Sequence, residues 1–266
     1  MTATERIANA VVWALAAATI VFMMTPLVVT VVVSFGSSPV FTLPAPSWSL
    51  RWYEALGRSR ELWPVAATSL QLAALSTIVA LVLGTLCAIG LLRSGFRGRE
   101  AVVTFLVSPL MLPGLVVGIS MLEAFRAMGL GNVWASLAIA HVVITLPYVV
   151  RTVYAALALF DFTLIDAART LGLSYGRAIL KVLVPSLAPA FLTSGMFAFL
   201  ASMDNYPISI FFADAWTKTL PIQMLQYVEE SPDPMIAAIS ALLILLAASV
   251  LFIGDRLVGL RRMVDL

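Results

Sequence analysis

Met-Ile-Ala-Ala-Ile-Ser-Ala-Leu-Leu-Ile-Leu-Leu-Ala-Ala-Ser-Val-Leu-Phe-Ile-Gly, residues 235–254, runs without one charged side chain. Crossing the hydrocarbon core of a bilayer takes about 20 apolar residues as a helix, or about 10 residues of alternating character as a barrel strand. The segment does not alternate: Ala241 to Val250 reads ALLILLAASV. A helix and a closed barrel are the two structures that satisfy backbone groups in lipid. The pattern selects the helix.

Five further stretches lack charge: Ile7 to Leu50, Leu62 to Leu92, Ala101 to Leu122, Ala127 to Val150 and Val182 to Met203. The first ends in a Ser- and Pro-rich tail from Ser34 onward, so its helix is expected to stop near Val33. Helices are expected near 9–33, 65–92, 101–125, 132–151, 186–212 and 235–257. The expected fold class is an all-α polytopic membrane protein with six transmembrane helices. The apolar run from Val11 to Val33 exceeds the roughly 7–15 residues of a signal-peptide core, so it is read as an uncleaved span.

The composition agrees. The chain has 266 residues, 61% hydrophobic and 11% charged, against about 25% charged in soluble domains. Its mean hydropathy is +1.02. Disorder and a nucleic-acid-binding role are excluded by the same figures. One cysteine, Cys87, excludes an internal disulfide framework and a cysteine-based zinc cluster. One histidine, His141, excludes a multi-histidine metal site.

Lys and Arg in the loops orient such a protein. With both termini on one side, that side holds Arg6, Arg93, Arg97, Arg99, Arg151, Arg169, Arg177, Lys181, Arg256, Arg261 and Arg262. The other holds Arg51, Arg58, Arg60, Arg126 and Lys218. The termini are therefore expected to be cytoplasmic. Eight of the 14 acids fall on the outer side. The outer segment Ser34 to Pro64 carries Pro39, Pro44 and Pro46, which favour turns. Trp48, Trp52, Tyr53 and Trp63 there suit an interfacial aromatic belt. Ser49 is a candidate N-cap for a short helix over Leu50 to Leu56, with Trp52, Tyr53 and Leu56 on its apolar face.

The longest inner loop, residues 152–185, is patterned. Tyr154 to Leu171 has helical composition, Gly172 suits a left-handed helix end, and Ser174 is a candidate N-cap for a second helix to about Leu183. Pro185 and Pro189 then lead into the fifth span. Within it stands Asp166-Ala167-Ala168, then three residues, Gly172, nine residues, and Val182-Leu183-Val184-Pro185. This resembles the E-A-A, three residues, G, nine residues, I-x-L-P motif of permease subunits of binding-protein-dependent type I ABC importers. The departures are Asp for Glu and Val for Ile and Leu. A finer resemblance, to spermidine/putrescine-type permeases, lies in Ser202-Met203-Asp204-Asn205-Tyr206-Pro207-Ile208-Ser209-Ile210-Phe211-Phe212, in Thr219-Leu220-Pro221-Ile222, in Asp233-Pro234 and in Ser49-Leu50-Arg51-Trp52-Tyr53.

The resemblance implies a single transmembrane permease domain over residues 1–266 in a bacterial cytoplasmic membrane, with residues 152–185 as its cytoplasmic coupling loop. Asp166, Ala167, Ala168, Gly172, Leu173 and Pro185 would couple to an ATPase. The implied partners are a second permease (a heterodimer), two ATP-binding subunits that hold ATP and Mg, and an extracytoplasmic solute-binding protein. This chain would carry no cofactor or metal and would bind no nucleic acid. The implied cargo is a polyamine such as spermidine or putrescine; another small charged solute is the alternative.

Asp204, Asn205 and Tyr206 are the candidate substrate-pathway residues. Asp204 is the acid nearest the membrane interior, and Pro207 is expected to break the helix there. Intramembrane carboxylates and broken helices both mark substrate paths. Equally, Asp204 or Asn205 caps the half-helix after the break. Glu123 and Arg126 are spaced to pair on one helix face, His141 is expected to hydrogen-bond between helices, Cys87 to be a small packing residue, and Gly114-xxx-Gly118 to permit close helix contact.

No G-x-x-x-x-G-K-[ST] loop is present, so the chain does not hydrolyse ATP by itself. No H-E-x-x-H occurs, and no hydrolase motif is expected. A stand-alone secondary transporter would need coupling-ion groups within the membrane, where Asp204 and His141 are the candidates, and would leave the inner loop unexplained.

Overall fold

A computed structural model describes residues 3–95, 97–230 and 233–258. Helices run, in chain order, α1 Ala3–Ser34, α2 Arg51–Arg58, α3 Leu62–Arg93, α4 Arg99–Val107, α5 Gly114–Ala127, α6 Val133–Ala158, α7 Thr163–Thr170, α8 Tyr175–Ala178, α9 Val184–Ser186, α10 Ala188–Met203, α11 Tyr206–Ser209, α12 Leu220–Glu230 and α13 Met235–Val258. Among the described residues the β-structure is a single bridge, Gly36 to Trp48. Arg261 and Arg262, counted in the inner basic set, lie outside the described residues.

Four stretches are long and apolar enough to cross a bilayer: Ile7–Ser34, Leu62–Arg93, Val133–Ala158 and Met235–Arg256. Two bent pairs complete a set of up to six, α4 with α5 and the Tyr175–Ser186 stretch with α10. The α-helical fold class holds; the third span, expected straight, is broken, and the fifth is bent at its start and interrupted beside Pro207, where a break was expected. The chain divides into two compact units. One holds the residues up to Arg60 with Met224–Ala248, the other Glu61–Gln223 with the residues from Ser249 on.

In the first unit, α1 keeps most of its apolar side chains exposed, as a helix facing lipid or another protein would. Its end is tied down. Ser34 Oγ and Tyr53 Oη lie 2.7 Å apart, and the Phe35 and Tyr53 rings pack at 5.1 Å. The loop that follows is pinched by hydrogen bonds from Ser37 N to Ser47 O at 3.1 Å and from Ser49 N to Phe35 O at 2.7 Å. The short outer helix forms one residue later than expected. Leu50 takes the N-cap position, and Ser49 Oγ accepts the Arg51 N–H at 3.1 Å. Trp52 and Leu56 are buried. Trp52 therefore does not join Trp48 and Trp63, which are exposed, as an outward-facing aromatic.

The second unit is built on α3, α6 and α10, which pack along their lengths. Small residues line the seam. Ala73, Ala80 and Ala88 of α3, Ala140 of α6 and Ala198 of α10 are fully enclosed. A Cβ on Gly84 would lie 2.8 Å from Val149 Cγ1, so glycine sets how closely α3 and α6 approach. Close backbone packing of this kind replaces the hydrophobic drive that apolar helices lose in lipid.

The expected third span, 101–125, is not one helix. It breaks at Leu112 and Pro113, both extended (ψ 146° and 127°), with a bend of 109°. Pro113 accounts for the break by driving the residue before it out of the helical region. The fourth span runs on to Ala158, past the expected end at 151. The residues from Tyr154 to Ala158 thus belong to the span, not to the inner loop. At the far side, the helix begun after Ser174 does not end near Leu183. It passes through Pro185 to Ser186, with a π-helical stretch Ile179–Leu183 just before the proline. A proline ring collides with the carbonyl one turn earlier, and a widened turn at that point relieves the collision.

Candidate functional site

Two places carry the candidate residues, and both lie in the second unit. The first is the elbow between α6 and α10. After α6 the Phe160 and Phe162 rings meet edge to face at 5.2 Å. Asp161 Oδ1 accepts the Thr163 N–H at 2.9 Å, which holds the Asp161 carboxyl below the usual carboxylate range. Helix α7 then ends in a Schellman motif: Leu173 N–H reaches Ala168 O at 3.2 Å and Gly172 N–H reaches Arg169 O at 3.0 Å. Gly172 sits at φ +92°, a left-handed conformation that side chains other than glycine resist. The expected role of Gly172 as helix end is met. Ser174 takes the extended backbone of an N-cap but makes no side-chain cap bond.

Helix α7 has two faces. Ile165 and Ala168 join the cluster of Val153, Leu157, Ala178, Leu183 and Leu187. Asp166 and Ala167 face solvent with Leu164 and Leu171, the last at 86% exposed. Ala168 therefore supports the elbow from beneath, while Ala167 is on its outer surface. Leu173 is half-buried and packs against the inner cluster, and Pro185 is exposed at the root of the elbow. Arg169 Nη1 lies 3.4 Å from Asp166 Oδ1. Tyr175 sits with the Arg93 guanidinium 4.9 Å and the Arg169 guanidinium 5.9 Å from its ring, tying the elbow to the end of α3. Leu164, Leu171 and Tyr175 were not singled out from the sequence. The spacing of Leu164, Ala167 and Leu171, three and four residues apart, was the available signal.

The second place is the break in the fifth span. Helix α10 stops at Met203, with Asp204 at its C-cap and Asn205 as the N-cap of α11. Asn205 Oδ1 accepts the Ile208 N–H at 3.1 Å. Asp204 is exposed, and no hydrogen bond or ion pair to its carboxylate is made among the described residues. The two open roles thus separate: the cap is Asn205, and Asp204 presents a free carboxylate. Tyr206 is half-buried beside it.

Beneath the break lies His141, 1% exposed. Its Nδ1 is 2.7 Å from Ser202 Oγ and its Nε2 3.0 Å from Ser209 Oγ. Ser76 Oγ lies 3.1 Å from Ser202 Oγ. Ser209 Oγ donates to the Asn205 carbonyl, and Thr145 Oγ1 donates to the His141 carbonyl at 2.8 Å. One set of directions satisfies the chain: Ser76 donates to Ser202, Ser202 to Nδ1, and Nε2–H to Ser209. His141 does link helices, as expected: from α6 it reaches α10 and α11 directly, and α3 only through Ser202 and Ser76.

Glu123 and Arg126 pair at 3.5 Å, both largely exposed. The Gly114–Gly118 face meets α11: a Cβ on Gly114 would lie 2.9 Å from Pro207 Cβ, and one on Gly118 2.5 Å from Phe211 Cδ2. Cys87 is half-buried and free. Contrary to expectation, the letters G-x-S-x-G do occur, at Gly172-Leu173-Ser174-Tyr175-Gly176. A nucleophile elbow needs a strand before the serine and a histidine beside it. Here a helix precedes Ser174, and His141 lies inside a span, so the arrangement is not catalytic. Among the described residues no group of three His, Cys, Asp or Glu side chains is placed to hold a metal.

The family described as binding-protein-dependent transport system inner membrane component matches residues 80–262. The spermidine/putrescine transport system permease protein PotC of Escherichia coli K12 is 31% identical over 238 residues, 90% of this chain and 89% of that one. The putrescine transport system permease protein PotI of the same organism is 30% identical, covering 84% and 82%. The molybdenum transport system permease protein ModB of Mycobacterium bovis is 28% identical, covering 70% and 75%. Among solved structures, a bacterial ABC transporter involved in import of the acidic polysaccharide alginate superposes with a TM-score of 0.69 at 16% identity, over 97% of this chain and 98% of that one. The MetNI methionine ABC transporter gives 0.60 at 21% identity, over 74% and 94%. The last two establish likeness of fold.

Proposed function

This chain belongs to the inner membrane components of binding-protein-dependent transport systems, and from that premise we propose that it forms half of the translocation pathway of an ATP-driven importer for polyamines. It is a transport subunit rather than an enzyme, with ATP hydrolysed in separate subunits. In this reading the whole chain acts as one permease domain beside a second, different permease. Two ATPases carrying ATP and Mg sit at the cytoplasmic face, and an extracytoplasmic solute-binding protein delivers the cargo. The excess of basic residues on one set of loops supports placing both termini in the cytoplasm of a bacterium.

The elbow is the coupling element in this account. Leu164, Ala167 and Leu171 form a small exposed apolar face beside Asp166 and Arg169. A face of that kind suits a groove of another protein. Gly172, Leu173 and Pro185 fix its angle to α10. Closure of the ATPases would push on α7, and the cluster beneath Ala168 would carry that push into α6 and α10.

The observation that carries the cargo reading is Asp204. Its carboxylate is exposed at a helix break and uncommitted, because Asn205 supplies the cap. A polyamine sheds water on entering a membrane pathway, and desolvating an unpaired ion costs several kcal/mol. A carboxylate at the break offsets part of that cost, with Asn205 and Tyr206 beside it offering polar contacts. The similarity to PotC and PotI supports the same cargo. The weaker similarity to ModB favours, as a second reading, another small charged solute. Uptake of labelled spermidine and putrescine by the reconstituted complex distinguishes them. Asp204→Asn should assemble normally and lower polyamine uptake roughly tenfold, the scale of one charge-assisted hydrogen bond. Unchanged uptake with Asp204→Asn would remove the cationic-cargo reading.

A further inference from the structure

The break in the fifth span has no continuous backbone ladder to hold its two halves at a fixed angle. Across it the chain makes short-range bonds only, from Asn205 N to Ser202 O at 3.3 Å and from Tyr206 N to Asp204 O at 3.0 Å. Such turns are weak on their own. In an unbroken helix Ser202 and Ser209 would lie two turns apart on one face, about 10.5 Å along the axis. The break alters that spacing, and a single imidazole reaches both hydroxyls. Ser202 is the last serine of α10 and Ser209 the last residue of α11. His141 therefore bonds once on each side of the corner that presents Asp204, Asn205 and Tyr206.

We propose that His141 is a positioning residue that braces the two halves of the fifth span and so fixes the place of the Asp204–Tyr206 corner. The inference rests on reading that corner as part of the substrate pathway. Three features support the brace. His141 stands on α6, the helix packed against both α3 and α10, so it is a rigid mount. Its surroundings are dry: His141, Ser202, Ser209, Ser76 and Thr145 are all at most 3% exposed. A buried hydrogen bond resists competition from water, and leaving a buried partner unsatisfied is costly. Finally, the brace also grips the cap. Ser209 Oγ donates to the carbonyl of Asn205, whose side chain starts α11. Through Ser209, displacement of the imidazole is felt at the residue next to Asp204.

The role differs from that of a generic packing residue. A residue that merely fills space affects how much protein folds. A brace also affects how narrowly the corner is placed in the protein that does fold, and from there the rate of passage.

The test uses the full importer complex with Cys87→Ser and a spin-label pair at Phe197→Cys and Ile210→Cys, exposed sites on either side of the break. Electron spin resonance gives the distance distribution across the break without reference to any substrate. His141→Leu keeps nearly the side-chain volume and removes both hydrogen bonds, and Ser209→Ala removes one arm without disturbing the ring. Both should broaden the distribution relative to the parent pair. Ser209→Ala should also lower polyamine uptake roughly tenfold per assembled complex, the scale of one buried hydrogen bond, and the His141 variant at least as much. A distribution as narrow as the parent in either assembled variant would overturn the brace, whatever Asp204 does. A broadened distribution with unchanged uptake would overturn the positioning role in transport. Failure of the pathway reading alone is visible separately, as unchanged uptake in Asp204→Asn with the brace intact.

Discussion

Ala167 and Ala168 are the same side chain one residue apart, and the fold gives them opposite surroundings. Ala168 is 7% exposed beneath the elbow, packed with Ile165 and Leu183. Ala167 faces outward beside Leu164 and Leu171. Their fates under substitution should differ accordingly. Ala168→Leu overfills a packed site and should cost about 1–3 kcal/mol, visible as a lower melting temperature of the purified complex. Ala167→Arg, at an exposed position, should leave stability within about 0.5 kcal/mol while lowering ATP-dependent uptake severalfold, because the new side chain obstructs docking. Equal loss of stability in both would contradict the two-faced reading of α7. The motif letters made both alanines legible as a pair. Which one points out was not legible, because the helix starts at Thr163 rather than Tyr154 and its phase follows from that start. Asp204 and Asn205 present the same situation. The residues and the break were legible; the division of labour between them needed the Asn205 Oδ1 contact to Ile208.

Long apolar elements were the easiest to read. The helices α1, α3, α6 and α13 fall where the uncharged stretches fall, since lipid leaves few alternatives to a helix. The interrupted elements were harder. Prolines at 109, 113, 185 and 207 all lie in or beside helical stretches, yet their effects differ. Pro113 bends the third span by 109°, whereas Pro185 is carried inside a helix by a π-turn. Sequence alone does not say which, because the outcome depends on what packs against the freed carbonyls. The α5–α11 contact is such a case. Gly114 and Gly118 let α11 lie against α5, with Pro207 and Phe211 in the space a Cβ would need. Gly118→Leu should force the two helices apart and cost about 1–3 kcal/mol. A thermal shift assay on the purified complex checks this, with the exposed Val116→Leu as control. An unchanged melting temperature for Gly118→Leu would mean that the α5–α11 approach is not tight.

At the scale of the whole molecule, the chain is a membrane permease whose α6–α10 elbow has an exposed face and whose fifth span is broken beside a free carboxylate. Helices α6 and α10 connect the two places. These helices share the cluster under the elbow with Ala168 and Leu183, and α6 carries His141 to the break. A push delivered at α7 thus has a packed route to the corner at Asp204. Everything in that account depends on the elbow meeting an ATPase on the cytoplasmic side. The most direct test places a photo-crosslinking amino acid at Leu171, 86% exposed at the tip of the elbow, in the chain expressed with its native partners. Irradiation of intact membranes followed by mass spectrometry of the adduct should identify a protein with a G-x-x-x-x-G-K-[ST] loop, and Asp166→Lys should weaken the adduct. An adduct with an extracytoplasmic protein, or none with any ATPase while the chain is inserted and folded, would contradict it.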